Sequence, residues 1–169
     1  MEFEKVITER YSVRSFSSKQ VEQEKIDAII NAGMVAPTGK NTQSQKIYVI
    51  KSEEALEKLK GECRVYNAPL VFLICGDLDK QCVISITGRS IIETDVSIVT
   101  THMMLECKNQ NLGSCWICYF DHNNIKKLFN LPENIVAYNL LAVGYPTDDS
   151  KPSERHLQSR SVKEVVEYL

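Results

Sequence analysis

Three stretches of the chain gather side chains that can do chemistry. Arg10-Tyr11-Ser12-Val13-Arg14 sets two guanidiniums and a hydroxyl within five residues. Arginine forks match the oxygens of a phosphate group, and the plain alternative is a solvated basic turn. Ala36-Pro37-Thr38-Gly39-Lys40-Asn41-Thr42-Gln43 is rich in small and amide-bearing residues, the composition of a loop. Its polar groups suit a flat heteroaromatic ligand as well as a simple connection. Cys115-Trp116-Ile117-Cys118 has the spacing of a thiol redox motif. It lies in an apolar strand pattern, where positions three apart point to opposite faces, so structural thiols compete with thiol exchange. No second paired-cysteine or histidine motif completes a zinc site, and no metal is expected. His102 reads as a core histidine, His122 and His156 as surface residues, and Met103 and Met104 as core filler.

The element expected to position these groups is a helix starting near Ile91. Ser90 and Glu93 have capping-box spacing. Ile92, Val96, Ile98, Val99, Met103, Met104 and Leu105 then fall on nearly every face, as in a buried helix. Gly113 is expected to stop it, with Ser114 to Phe120 following as a buried strand. Upstream, Phe3, Val6 and Ile7 give a first helix one apolar face, and Ile26, Ile29, Ile30 and Ala32 indicate a second helix over 22–35, ended by Pro37.

The spacing further predicts a strand over 46–51, a charged surface helix over 53–60 and a central strand through Leu70 to Cys75 covered on both faces. The pattern weakens between Asp77 and Arg89, the best candidate for a mobile lid over a site. Asp121 is expected to cap a helix through Phe129, Leu131-Pro132-Glu133 to turn the chain, and Tyr138 to Gly144 to form another buried strand. The tail from Tyr145 is polar until Ser161 and Glu164 repeat the capping-box spacing. A tail of that kind suits wrapping a neighbouring subunit.

Composition sets the outer limits. A length of 169 residues suits one domain spanning 1–169, and 43% hydrophobic with 25% charged residues is a globular balance. A formal net charge of −2 offers no basic field for nucleic acid. No apolar run reaches the roughly 18 residues a membrane span needs. Met1-Glu2-Phe3-Glu4 lacks the basic-then-apolar profile of a signal peptide, so a cytoplasmic location is expected. Most of the six cysteines sit in apolar runs, which in a reducing compartment favours buried thiols.

Four motifs in order resemble the nitroreductase family: Arg10-Tyr11-Ser12-Val13-Arg14, Ala36-Pro37-Thr38-Gly39-Lys40-Asn41, Leu112-Gly113-Ser114-Cys115-Trp116-Ile117, and Leu131-Pro132-Glu133 leading to Ala142-Val143-Gly144-Tyr145-Pro146. With a late Arg160, their order and spacing match over nearly the whole chain. The resemblance implies an α+β fold with a central, mostly antiparallel sheet flanked by helices, an intertwined homodimer, and FMN bound where the subunits meet. It implies hydride transfer from NADH or NADPH through flavin N5 to a nitroaromatic, quinone or similar small acceptor by a ping-pong mechanism.

Carried over by motif, Arg10, Tyr11, Ser12 and Arg14 belong around the FMN phosphate and ribityl chain, with Arg160 closing from the tail. Pro37, Thr38 and Asn41 would approach the flavin from the partner subunit. Backbone at Ile117, Cys118 and Tyr119 would face the ring, and Arg64 would sit near its pyrimidine end. No side chain is required as a catalytic acid, so none is named. Tyr11 stands where a second basic residue is common, Gln158 where lysine is frequent, Gln45 in place of a common tryptophan, and Cys118 and Tyr119 where smaller residues are usual. The rival reading is a flavin-binding, storage or sensing protein on the same scaffold, without turnover.

Overall fold

The strand Leu70–Asp77 carries seven buried residues in a row, and the rest of the chain is layered on its two faces. A computed structural model describes residues 1–169. In chain order the elements are α1 (Phe3–Glu9), α2 (Gln23–Met34), β1 (Gln45–Ile50), α3 (Glu53–Lys60), β2 (Leu70–Asp77), a hairpin of β3 (Val83–Ile84) and β4 (Arg89–Ser90), α4 (Ile92–Asn109), β5 (Gly113–Ile117), α5 (His122–Leu128), β6 (Ile135–Gly144) and α6 (Val162–Val165). Short 3₁₀ turns lie at Gly39–Asn41, Leu78–Lys80 and Glu154–Leu157. The main sheet has the order β1-β2-β6-β5, with every pair antiparallel. This is the expected α+β class with a central antiparallel sheet.

Alternation along β2 divides the interior. Leu70, Phe72 and Ile74 join Ile26 and Ile29 of α2 and Val96, Val99 and Met103 of α4 in one cluster. Val71, Leu73 and Cys75 face Leu59 of α3 and Ile125 of α5 in the other. In β6, Leu141 and Val143 go to the first cluster, Leu140 and Ala142 to the second. The register shifts opposite Ile74 and Cys75, which pair with Asn139 and Ala137. Tyr138 is therefore the extra residue of a β-bulge, and the alternation reverses across it. Asn139 thus faces α4, where its Nδ2 donates to Thr100 Oγ1 at 3.1 Å.

The first boundary to differ from expectation is the end of α4. Asn111, at φ 57°, takes the left-handed position after the helix. Leu112 N–H donates to Cys107 O at 2.8 Å and Asn111 N–H to Lys108 O at 3.0 Å, the paired bonds of a Schellman stop. Gly113 instead begins β5. At the other end, Ser90 Oγ accepts from Ile92 N–H at 3.3 Å, but Ile91 is the N-cap and Glu93 makes no return bond, so the expected capping box does not form. Burial on α4 follows one stripe, Ile92, Asp95, Val96, Val99, Thr100, Met103 and Cys107, rather than every face.

The strand after α4 stops at Ile117, leaving Cys118 to Phe120 outside it. On α1 only Val6 is buried, while Phe3 and Ile7 are exposed. The stretch over 77–89 forms a 3₁₀ turn and the small hairpin. The predicted caps at Asp121 and at Ser161 with Glu164 are present. No helix is long and apolar enough to cross a membrane.

Candidate functional site

The segment 10–14 lies along the outer edge of β5. Ser12 forms a parallel bridge with Ser114, and Val13 N–H donates to Ser114 O at 2.9 Å. This close approach explains Gly113: a Cβ there would stand 2.6 Å from Val13 Cγ2 and 3.0 Å from Pro146 Cγ. Arg10 and Tyr11 line a recess of about 160 Å³ with Lys108, Asn111 and Ser114. Arg14 is exposed, and its Nη1 donates to Ser12 O at 3.3 Å. Because the bridge is parallel, the segment runs towards the C-terminal end of β5.

At that end a cleft of about 980 Å³ opens, lined by Arg64, Tyr66, Ile117, Tyr119, Phe120 and His122 among others. Tyr119 is 95% exposed. The N–H groups of Cys118 and Tyr119, past the last residue of the strand, find no acceptor within the chain. His122 Nδ1 lies 3.0 Å from Ala137 O, which fixes the ring on the cleft wall. Beneath this exit, Asn139 Oδ1 accepts from Trp116 Nε1 at 2.9 Å and from Cys118 Sγ at 3.6 Å.

All seven ion pairs of the chain use lysine. The six arginines, with Arg10, Arg14, Arg64 and Arg160 among them, pair with no carboxylate. Their guanidiniums are suited to an external anion.

Pro37, Thr38 and Asn41 belong to a different region. The loop precedes β1, at the far edge of the sheet from β5, about 14 Å away at three strand spacings. Thr38 Oγ1 accepts from Gln43 N–H at 3.0 Å, and Lys40 and Asn41 take left-handed backbone at φ 52° and 55°. Gly39 N–H donates to Asp95 Oδ1 at 2.9 Å. A Cβ on Gly39 would meet Ile91 Cδ1 at 2.5 Å and Cys82 Sγ at 2.9 Å, so the loop is pressed against the hairpin and the start of α4. One chain therefore carries the arginine-bearing segment and this loop on opposite edges of the sheet.

The beginning of the tail returns to segment 10–14. Tyr11 Oη lies 3.3 Å from Ser150 O, and its ring meets that of His156 edge-on at 6.4 Å. Arg160, four residues further, is exposed and its side chain makes no hydrogen bond or ion pair.

The cysteines weigh against thiol exchange. Burial pushes the Cys75 thiol up to about 12 and that of Cys63 up to about 11, and raises those of Cys107 and Cys115 as well. Cys115 is buried and Cys118 exposed, so the pair does not share a face. No three His, Cys, Asp or Glu side chains are close enough to hold a metal.

Two buried polar groups escape the sequence reading, Asp95 and Asn139. Asn139 stands among apolar residues of β6, whereas Asp95 is one of several polar residues on α4, so only Asn139 leaves a signal in the sequence. Phe120 and His122 also reach the cleft, through a turn that periodicity does not describe.

A family model described as "Nitroreductase family" matches residues 7–67 and 57–145. The crystal structure of a nitroreductase family protein from Clostridium difficile 630 superposes with a TM-score of 0.93 at 38% identity, covering 99% of this chain and 98% of that one. A protein of Bacillus subtilis named FMN reductase [NAD(P)H] is 25% identical over 184 residues, covering 98% of this chain and 74% of its own length. One from Archaeoglobus fulgidus, provisionally named NADH dehydrogenase/NAD(P)H nitroreductase, is 28% identical over 154 residues, with 86% of each chain covered.

Proposed function

The chain belongs to the nitroreductase family and is an NAD(P)H-dependent flavin oxidoreductase using FMN; we propose that it works as a homodimer, passing hydride from NADH or NADPH to a nitroaromatic, quinone or similar small acceptor by a ping-pong mechanism. The residues present fit FMN. Arg10 and Arg14 carry charge with no carboxylate partner, and a phosphate monoester brings nearly two negative charges at neutral pH. The cleft beyond β5 falls in the size range of small-molecule sites.

Bound FMN would supply the redox chemistry, hydride transfer between the nicotinamide and the acceptor. The chain's own groups hold and orient. Arg10, Ser12 and Arg14 would grip the phosphate and ribityl chain, joined by Arg160 from the tail, with Tyr11 anchoring the tail's start. The free N–H groups of Cys118 and Tyr119 offer donors to the ring edge beside Ile117. Arg64, which also lines the cleft, would stabilise negative charge at the pyrimidine end. Pro37, Thr38 and Asn41 would come from the partner subunit, since in one chain they sit at the far edge of the sheet.

The observation that carries this reading is the absence of any carboxylate partner for the arginines that flank β5. Purified protein should be yellow, release FMN on denaturation, and bleach anaerobically with NADH or NADPH. A panel of acceptors would then identify which one restores the colour. Protein that stays colourless with added FMN would refute the cofactor assignment, and flavin that stays oxidised would refute turnover.

A further inference from the structure

Asp95 is a carboxylate in the first turns of α4, 2% exposed, with hydrophobic neighbours on its helix. Burying such a group is costly unless it is hydrogen-bonded. Its Oδ1 accepts from Gly39 N–H at 2.9 Å, whereas Oδ2 has no partner. Thr42 Oγ1 and Ser44 Oγ, buried hydroxyls on the same loop, are also without partners. The side-chain bond that fixes this loop to α4 falls at Gly39, where the loop is pressed against Ile91 and Cys82.

Around that bond the loop is strained, and its own hydrogen bonds only close local turns. Asn41 N–H donates to Thr38 O and Thr42 N–H to Gly39 O, neither of which ties the loop to the helix. Lys40, Asn41 and Gln43 all hold positive φ, a conformation costly for residues with a Cβ. No side chain other than Asp95 bonds the backbone of Gly39, Lys40 or Asn41. Val96 and Val99, beside Asp95 on the helix, are locked in the core, so the carboxylate has a rigid base.

We propose that Asp95 is a positioning residue, whose buried carboxylate pins Gly39 and thereby aims Thr38 and Asn41 at the flavin of the partner subunit. This rests on the reading that the loop contacts FMN across the dimer. Through Asp95 the geometry of one subunit's core sets the second half of its neighbour's site.

The test uses the full chain and compares Asp95→Ala, Asp95→Asn and Asn41→Ala. Amide hydrogen exchange at Gly39 is read without FMN, and FMN affinity by fluorescence titration. Asp95→Ala should speed exchange at Gly39 and weaken FMN binding, each by at least about tenfold, while Asp95→Asn, which keeps an acceptor oxygen, stays near the parent protein. Unchanged Gly39 exchange in Asp95→Ala would overturn the proposal. Faster exchange with unchanged FMN affinity would also overturn it: if Asn41→Ala still weakens FMN, the loop reading survives without Asp95, and if it does not, the loop reading falls as well. Should Asp95→Ala fail to fold, Asp95→Asn decides by itself, since loss of Gly39 protection or FMN affinity with the oxygen retained would contradict the role assigned.

Discussion

The indole N–H of Trp116 donates to the carboxamide oxygen of Asn139 at 2.9 Å, across the pair of strands that ends at the cleft. The same amide donates to Thr100, so one buried side chain links β5 and β6 to α4. Asn139→Leu should destabilise the protein by about 1–3 kcal/mol, because the Trp116 N–H loses its acceptor. Urea unfolding measures this, and a midpoint equal to the parent's would show the network to be dispensable.

Arg10 and Arg160 make a second prediction. Each guanidinium lacks an internal carboxylate, so its removal leaves no buried charge behind and stability should hold. Loss of a charged hydrogen bond to phosphate is worth about 1.5–3 kcal/mol, so Arg10→Ala and Arg160→Ala should each weaken FMN binding by about tenfold or more. Titration calorimetry at two salt concentrations checks it. Unchanged affinity in both variants would remove them from the site.

Gly113→Ala tests the contact that lays segment 10–14 along β5. The new methyl would sit 2.6 Å from Val13 Cγ2, and Val13 is locked in the core. Overpacking of this kind costs about 1–3 kcal/mol, and displacement of Ser12 and Arg14 should lower FMN affinity too. Gly61→Ala is the control, since the nearest atom to its added methyl is 3.4 Å away. Equal melting temperatures for the two variants would contradict the account.

The sheet strands and flanking helices are legible in the sequence because burial imposes a period, as in Leu70 to Cys75 and in Ile26, Ile29 and Ile30. The stop of α4 is not, because asparagine, like glycine, accepts left-handed backbone, and only the long-range contacts with Val13 and Pro146 explain why glycine stands two residues later. The segments 10–14 and 36–43 stand out through arginine and amide content. Their division between opposite edges of the sheet depends on strand order, which no local pattern encodes. Asp95 and Asn139 are hidden for a similar reason, as their partners lie 56 and 23 residues away in sequence.

Of the carboxylates held below their ordinary range, Glu22, Glu54 and Glu164, acid titration should expose Glu22. The Tyr145 hydroxyl donates to Glu22 Oε2 at 2.6 Å and holds the carboxyl down to about 2. Since the folded value lies below the ordinary one of about 4.3, Glu22 contributes stability above about pH 4.3 and loses it as pH falls towards about 2. Tyr145→Phe should bring the Glu22 titration back towards the ordinary range in NMR. A titration unmoved by the variant would assign the shift to other groups.

Cys118 provides a reporter on the ring end of the site. Of the six cysteines only Cys118 is an exposed residue, with its Sγ turned towards Asn139 Oδ1 at 3.6 Å; four are buried and Cys63 is intermediate. Burial raises Cys63, Cys75, Cys107 and Cys115 in pKa, which lowers their thiolate fraction, and the thiolate is the form that alkylates. At about pH 8 iodoacetamide should therefore modify one cysteine per chain quickly, and Cys118→Ser should abolish that phase. Because Tyr119 lines the cleft and Cys118 precedes it on the same exit, saturating FMN should slow the fast phase several-fold by covering the backbone there. A rate indifferent to FMN would place the flavin ring elsewhere and leave the free N–H groups of this exit without the role given to them.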